Sequence, residues 1–215
     1  MIAAAGSGER LGAGGPKALV ELGGRPMLDW SVEAFRGCES VGPIVVAAPA
    51  GYEDSIARDG VAVATGGQTR SESVAAALGQ VESEVVVVHD AARPLVEPEL
   101  IDAVVADLLA DPDAGAVVAA APVTDTIKQV LRGAEVERTL DRSALWAAQT
   151  PQAFRTEALR RAFGSTELLA QATDDAMLVE RIGGRVLLHE APAENLKVTT
   201  PLDLRVAELL LSERS

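Results

Sequence analysis

Of the 19 lysines and arginines in the chain, only Lys17, Lys128 and Lys197 are lysines, so each lysine is a deliberate choice of charge. Lys17 closes the stretch Ala3-Ala4-Ala5-Gly6-Ser7-Gly8-Glu9-Arg10-Leu11-Gly12, which runs on to Pro16-Lys17. Glycines in such a loop let backbone N–H groups turn toward an anion and let the anion come close. Arg10 and Lys17 add two positive charges, so the chemistry suggested is phosphate binding. A second Gly-Gly turn, Gly66-Gly67, leads into Gln68-Thr69-Arg70-Ser71-Glu72-Ser73. Asp90 follows the most apolar run of the chain, Val85 to Val88, and lies where that run must end. A carboxylate there suits Mg²⁺, which takes one or two carboxylates together with substrate phosphates. Lys197 stands just before the last helical stretch rather than on its exposed face.

Two familiar phosphate motifs do not fit. The dinucleotide fingerprint needs glycine three residues after Gly8, where Leu11 stands, and no acid ends the next strand at Ala47-Ala48-Pro49. The P-loop needs Gly-Lys-Ser/Thr, but Pro16 precedes Lys17 and Ala18 follows it. Another kind of nucleotide or phosphate cradle is indicated.

The elements that must position these residues follow from periodicity. Met1 to Ala5, Pro43 to Ala48, Val61 to Ala64, Val85 to Val88, Ala116 to Ala121 and Arg185 to His189 read as strands. Helical spacing covers Met27 to Phe35, Tyr52 to Arg58, a stretch ending at Leu78, Glu97 to Leu109, a helix from Thr156, Met177 to Ile182, and Leu202 to Leu211. The alternation points to a parallel α/β sheet. Thr69 or Ser71 caps the third helix, with Glu72 in its first turn. Arg70 is left open between the surface and the site. Arg93 either contacts ligand or pairs with an acid, and His89 reads as a structural hydrogen-bonder. Asp174 and Asp175 read as first-turn acids rather than metal ligands. Gln129-Val130-Leu131 and Glu135-Val136-Glu137-Arg138, joined by Arg132-Gly133-Ala134, form a hairpin with too few apolar residues for its own core. It either packs on a partner subunit or is solvated.

Composition sets the outer limits. At 215 residues the chain suits one domain, 1–215, with a core of Val, Leu, Ile and Ala because aromatics make up only 3%. The formal charge of −13 argues against nucleic acid or a membrane surface as partner. Any anionic substrate must therefore be drawn in by a local positive patch. Cys38 is alone, which fits a reducing, cytoplasmic setting, and two histidines with one cysteine argue against zinc. No signal peptide opens the sequence, and no apolar run is long enough to span a bilayer.

The motifs together resemble the 2-C-methyl-D-erythritol 4-phosphate cytidylyltransferase family. The stretches that carry the likeness are AAAGSGERLG with PK at 16–17, GGQTRSESV at 66–74, VHDAARP at 88–94, PVTDTIK at 122–128, DRSALWAAQTPQ at 141–152, TDDA at 173–176 and ENLKVTTPLDL at 194–204. They cover nearly the whole chain in order. The resemblance implies an α/β fold of the nucleotide-diphospho-sugar transferase type: a Rossmann-like, mostly parallel sheet with helices on both faces and a projecting β-arm. The arm, 124–142, would build a homodimer. It implies transfer of CMP from CTP to methylerythritol 4-phosphate with release of pyrophosphate, assisted by Mg²⁺ or another divalent cation. By the same likeness Arg10 and Lys17 hold the triphosphate and Lys197 supports the α-phosphate. Asp90 would bind Mg²⁺ and neighbour the alcohol. Ala4, Ala5, Gly6, Gly8, Gly66, Gly67, Ser73, Ala91 and Arg93 would form the CTP pocket. Thr126, Thr150 and Lys197 would hold methylerythritol phosphate, with Arg142 reaching in from the second subunit. Lys128 belongs to the motif without an assigned role. Two departures are visible: Ala18 stands where the family often has glutamine, and the first strand is short. The alternative substrate is another polyol phosphate such as ribitol 5-phosphate. Relatives of that kind tend to open Leu-Ala-Gly-Gly, where this chain has Ala3-Ala4-Ala5-Gly6.

Overall fold

The computed structural model describes residues 1–6, 8, 11–12, 14–164 and 172–214. Seven strands form its central sheet: β1 (Ile2–Ala3), β4 (Ile44–Ala48), β5 (Val61–Thr65), β6 (Val85–Asp90), β7 (Ala114–Pro122), β10 (Trp146–Arg155) and β11 (Arg185–Glu190). Their order across the sheet is β11-β7-β10-β6-β1-β4-β5. β1 pairs in parallel with both β4 and β6, β4 with β5, and β7 with β11. β10 alone runs antiparallel, to β6 on one side and β7 on the other. The sheet is thus mostly parallel, as expected, but the sequence marks β10 only as a stiffened run through Thr150-Pro151-Gln152. Its first residues, Trp146-Ala147-Ala148, are exposed, while Thr150 to Phe154 are buried. That change of environment within one strand removes the simple alternation by which strands are recognised.

Side chains alternate across the pleat, so each strand feeds two cores. In β4, Ile44, Val46 and Ala48 join one core, with Leu28, Val32 and Phe35 of α1 (Met27–Arg36) and Ile101, Val104 and Leu108 of α4 (Pro98–Ala110). Val45 and Ala47 join the other, with Val74 and Leu78 of α3 (Arg70–Leu78) and Leu159 of α5 (Thr156–Phe163). Leu178 and Val179 of α6 (Asp175–Arg181) belong to that same face. A short helix, α2 (Glu53–Ile56), connects β4 to β5. The last helix, α7 (Pro201–Glu213), packs Ala207 and Leu211 with Leu22 and Met27 in a third cluster. Leu22 lies on a small hairpin of β2 (Glu21–Leu22) and β3 (Arg25–Pro26), which turns at Gly23-Gly24.

The expected second hairpin is present as β8 (Lys128–Val130) and β9 (Val136–Thr139). Both strands are almost wholly exposed, and Val130, Leu131 and Val136 stand 48%, 72% and 50% accessible. Lys128, unassigned in the sequence, donates from Nζ to Thr139 Oγ1 across this hairpin at 2.7 Å.

Phe154 fills the centre of β10 and is fully buried. Phe154→Ala is expected to cost about 3–5 kcal/mol of stability through lost burial and a cavity. Chemical denaturation measures it.

Candidate active site

Parallel β1 and β6 end side by side, with Ala3 in register with Asp90. The chain leaves β1 toward β4 and β5 on one side, and β6 lies on the other. Such a reversal of strand order opens a crevice at the carboxyl ends. A cavity of about 590 Å³ occupies it. Its walls come from the loop after β1, the turn after β5, the end of β6 and the segment before α7.

The first loop folds back on itself. Gly8 has φ +76°, and a Cβ there would lie 2.7 Å from the Gly15 carbonyl oxygen and 3.2 Å from the Lys17 nitrogen. The Lys17 N–H donates to the Gly6 carbonyl at 3.0 Å. Only glycine allows this fold, and the fold brings Lys17 round to the cavity wall. Ala4, Ala5, Gly6 and Gly8 line it with Lys17. Arg10 lies outside the described residues.

The second wall is the start of α3. Thr69 is its cap: its hydroxyl accepts from the Glu72 N–H while Glu72 reaches back to the Thr69 N–H, a reciprocal capping box. Gly67 and Ser73 line the cavity here. Gly66 does not, but sits behind it at the seam. A Cβ on Gly66 would come within 2.9 Å of Ala5 Cβ and of the Ala48 carbonyl, so the two loops touch only because it is glycine.

Asp90 forms the floor. Strand alternation puts Val86 and Val88 in the α3/α6 core, and Asp90 follows on the same face. There it meets two cations. Arg70 Nε lies 2.9 Å from Oδ1, and Lys197 Nζ lies 2.6 Å from Oδ2. Burial alone would push the Asp90 carboxyl up; Arg70 and Lys197 outweigh it and hold the group well below the ordinary carboxylate range. Arg70, left open in the sequence, also donates from Nη1 to Asp175 Oδ2 at 2.6 Å. Asp175 is fully buried, and burial raises its carboxyl despite Arg70. Asp174 is the cap of α6, accepting from the Met177 N–H. Asp175 is the acid of the first turn, as its place in the sequence leads one to expect, and it is in addition part of a charge network that the sequence does not reveal. No signal short of a contact between 70 and 175 could have shown it.

Behind Asp90 runs a chain of neutral hydrogen bonds. The Asp90 N–H donates to Thr150 Oγ1 at 3.0 Å, and Thr150 pairs with His89 Nδ1 at 3.1 Å. His89 Nε2 reaches the Arg93 carbonyl at 3.1 Å. The network assigns the proton to Nε2, with Nδ1 accepting from the hydroxyl. Burial lowers the His89 pKa from 6.5 to about 3, so the ring stays neutral. This is the structural role expected of His89. Arg93 donates from Nη1 to the Asn195 carbonyl at 2.7 Å and makes no ion pair within contact distance among the described residues.

Arg93, expected in the CTP pocket, does not line the larger cavity; with Thr150 it borders a second, smaller cavity of about 270 Å³, together with Gln149 and Gln152, because its guanidinium turns toward Asn195. Arg70, Asp90 and Lys197 line both cavities and form the partition between them. Ala91 belongs to the larger one. Thr126 and Arg142 line neither: both are exposed near the foot of the β8–β9 hairpin, and Arg142 donates to the Thr124 carbonyl. Sequence reasoning does not place Gln149 and Gln152 at the smaller cavity, nor Asn195 behind it, because only the pairing of β10 brings them there. Asn195 is buried and donates to Gln149 Oε1 at 2.7 Å and to the Thr150 carbonyl at 2.9 Å.

The comparisons with known proteins agree along the whole chain. The family model described as IspD, 2-C-methyl-D-erythritol 4-phosphate cytidylyltransferase, matches residues 1–213. The protein of that name from Frankia casuarinae is 46% identical over 217 residues, covering 99% of this chain and 80% of its own. That from Symbiobacterium thermophilum is 44% identical over 228 residues, covering 100% and 93%. Among solved structures, 2-C-methyl-D-erythritol 4-phosphate cytidylyltransferase from Thermus thermophilus superposes with a TM-score of 0.81 at 36% identity, covering 98% of this chain and 97% of that one.

The two threonines before α7 are fixed by an acid in its first turn. Asp203 accepts from the Thr199 N–H, the Thr199 hydroxyl and the Thr200 N–H, and these bonds lower its pKa from 3.8 to about 2. A lowered carboxyl stabilises the fold above its unfolded pKa and loses that effect as pH falls through the folded one. Asp203→Ala is therefore expected to cost about 1 kcal/mol at neutral pH. The difference from wild type should vanish between pH 3.8 and about 2, as read from denaturation midpoints across pH.

Proposed function

The chain belongs to the 2-C-methyl-D-erythritol 4-phosphate cytidylyltransferase family, and on that premise we propose that it transfers CMP from CTP to 2-C-methyl-D-erythritol 4-phosphate in non-mevalonate isoprenoid synthesis. The observation that carries the reading is the meeting of Lys17 and Lys197 in one cavity, across from two glycine turns, with Asp90 between them and the second cavity. A phosphate oxygen of the alcohol attacks the α-phosphorus of CTP. The bond from that phosphorus to the bridging oxygen breaks, and pyrophosphate leaves with the electron pair. No side-chain nucleophile is needed, because the acceptor already carries an ionised phosphate. The protein's task is positioning and charge stabilisation.

The larger cavity takes the nucleotide and the smaller one the alcohol phosphate. Ala4, Ala5, Gly6, Gly8, Gly67, Ser73 and Ala91 offer backbone and small side chains to the base, ribose and phosphates, and Gly66 lets their two loops approach. Arg10 and Lys17 balance the triphosphate and the departing pyrophosphate. Lys197 supports the α-phosphate as it becomes five-coordinate. Thr150 and Arg93 border the acceptor chamber, although the Thr150 hydroxyl is also committed to Asp90 and His89. A triphosphate carries roughly four negative charges, each worth ~4 kcal/mol gross against a cation at 4 Å near a protein surface. Two or three fixed cations are therefore a sensible counterweight in a molecule of charge −13.

Mg²⁺ fits this donor set in a limited way. No group of three or more His, Cys, Asp or Glu side chains forms a cage among the described residues. Asp90 is one carboxylate on the cavity floor, and among the described residues each of its oxygens accepts a single side-chain bond, leaving lone pairs for a cation. It would hold a Mg²⁺ whose other ligands are phosphate oxygens and water. Bound there, the ion would neutralise phosphate charge.

The exposed apolar residues of the β8–β9 arm support a homodimer, in which Thr126 and Arg142 would complete the acceptor site of the neighbouring copy. The single, buried Cys38 supports a reducing, cytoplasmic setting. No described helix is long and apolar enough to cross a membrane.

Pyrophosphate release from CTP should require methylerythritol phosphate, and ribitol 5-phosphate should be a far poorer acceptor; a preference for ribitol phosphate would refute the substrate. Lys17→Ala and Lys197→Ala should each lower kcat by roughly 10²–10³-fold with the fold intact, because each cation meets charge that grows in the transition state. Arg142→Ala should chiefly raise KM for the alcohol phosphate, and sedimentation should find a dimer. An unchanged KM would remove Arg142 from the site.

A further inference from the structure

Arg70 is an odd choice at its position. It is the first residue of α3, where the helix dipole disfavours a cation. Its guanidinium is nonetheless drawn inward and divided between two carboxylates, with Nε on Asp90 and Nη1 on Asp175. Asp175 is fully buried, and its Oδ1 has no hydrogen-bond partner among the described residues. A buried ion pair of this kind is a weak source of stability, since well-packed apolar residues often do as well. Its presence calls for a different reason.

The geometry supplies one. Asp90 has two cationic partners, and they differ. The Lys197 side chain is 39% accessible and hangs on a flexible four-carbon stem. The Arg70 side chain is 28% accessible and is clamped from behind by a carboxylate with no exposure at all. If Lys197 turns to the α-phosphate, as its proposed role requires, Asp90 loses one partner. We propose that Arg70, locked by Asp175, is the standing counter-ion that keeps Asp90 oriented on the partition between the two cavities while Lys197 is engaged with substrate. Arg70 is then a positioning residue acting through Asp90, and Asp175 positions Arg70. This rests on the cytidylyl-transfer reading above.

A planar fork is required for the task. Arginine can bond both acids at once through separate nitrogens, whereas lysine presents one compact ammonium. Arg70 lines the nucleotide cavity, but its guanidinium is committed to Asp90 and Asp175, so its loss should fall chiefly on kcat.

The test uses the full-length chain with CTP, Mg²⁺ and methylerythritol phosphate. Wild type is assayed first, and if it releases no pyrophosphate, both the parent reading and this one are overturned. With an active wild type, Arg70→Met is expected to lower kcat by roughly 10²-fold with KM for CTP close to wild type. Arg70→Lys should recover only part of that loss. The double variant Arg70→Met/Asp175→Leu removes both charges and fills the space with apolar atoms, so thermal stability should return toward wild type while kcat stays low. A purely structural pair predicts the opposite: turnover would return together with stability. That result, or full activity in Arg70→Lys or Arg70→Met, would overturn this inference alone.

Discussion

One carboxylate ties the functional half of the molecule together. Asp90 ends the central strand, and its two oxygens reach the start of α3 through Arg70 and the segment before α7 through Lys197. Arg70 extends the link to α6 through Asp175. Residues far apart in sequence thus meet through a single acid. Burying that acid costs free energy, and only the two cations beside it make the ionised form favourable. Removing either partner would leave a charge partly uncompensated, so the elements are joined by an interaction that tolerates little displacement.

The sheet makes this junction possible. Parallel strands buried on both faces deliver all their carboxyl ends to one rim, and the reversal between β1 and β6 leaves an opening there. Backbone from the two glycine turns then supplies donors that carry no net charge. This matters in a protein of charge −13, because neutral N–H groups can face an anion without needing acids nearby to balance them. The two lysines of the cavity then stand where, in the proposed reaction, charge changes.

The antiparallel strand β10 has a separate task. Through Thr150 it fixes the backbone of Asp90, and through His89, Arg93 and Asn195 it joins that backbone to the segment leading to Lys197. A network anchored on main-chain N–H groups and carbonyls lies under the ionic one. It holds the main chain, while the ion pairs hold the side chains. A histidine forced to stay neutral by burial suits this duty, since a charge there would compete for Asp90.

Much is legible in the residues alone. Apolar runs such as Val85 to Val88, rich in β-branched residues and alternating with helical stretches, point to a parallel sheet buried on both faces. The glycines at 6, 8, 66 and 67 announce loops whose backbones approach closely, and the motif order identifies the family. Capping at Thr69 and Asp174 follows from local chemistry and is readable for that reason. β10 is not readable, because its environment changes along its length. Nor is the partnership of Arg70 with Asp175, or the use of Thr150 beneath Asp90, or the exposure of Thr126 and Arg142 away from both cavities. Local sequence carries propensity, periodicity and caps; which charged groups share a buried space depends on contacts between distant segments, and those exist only once the sheet has chosen its order.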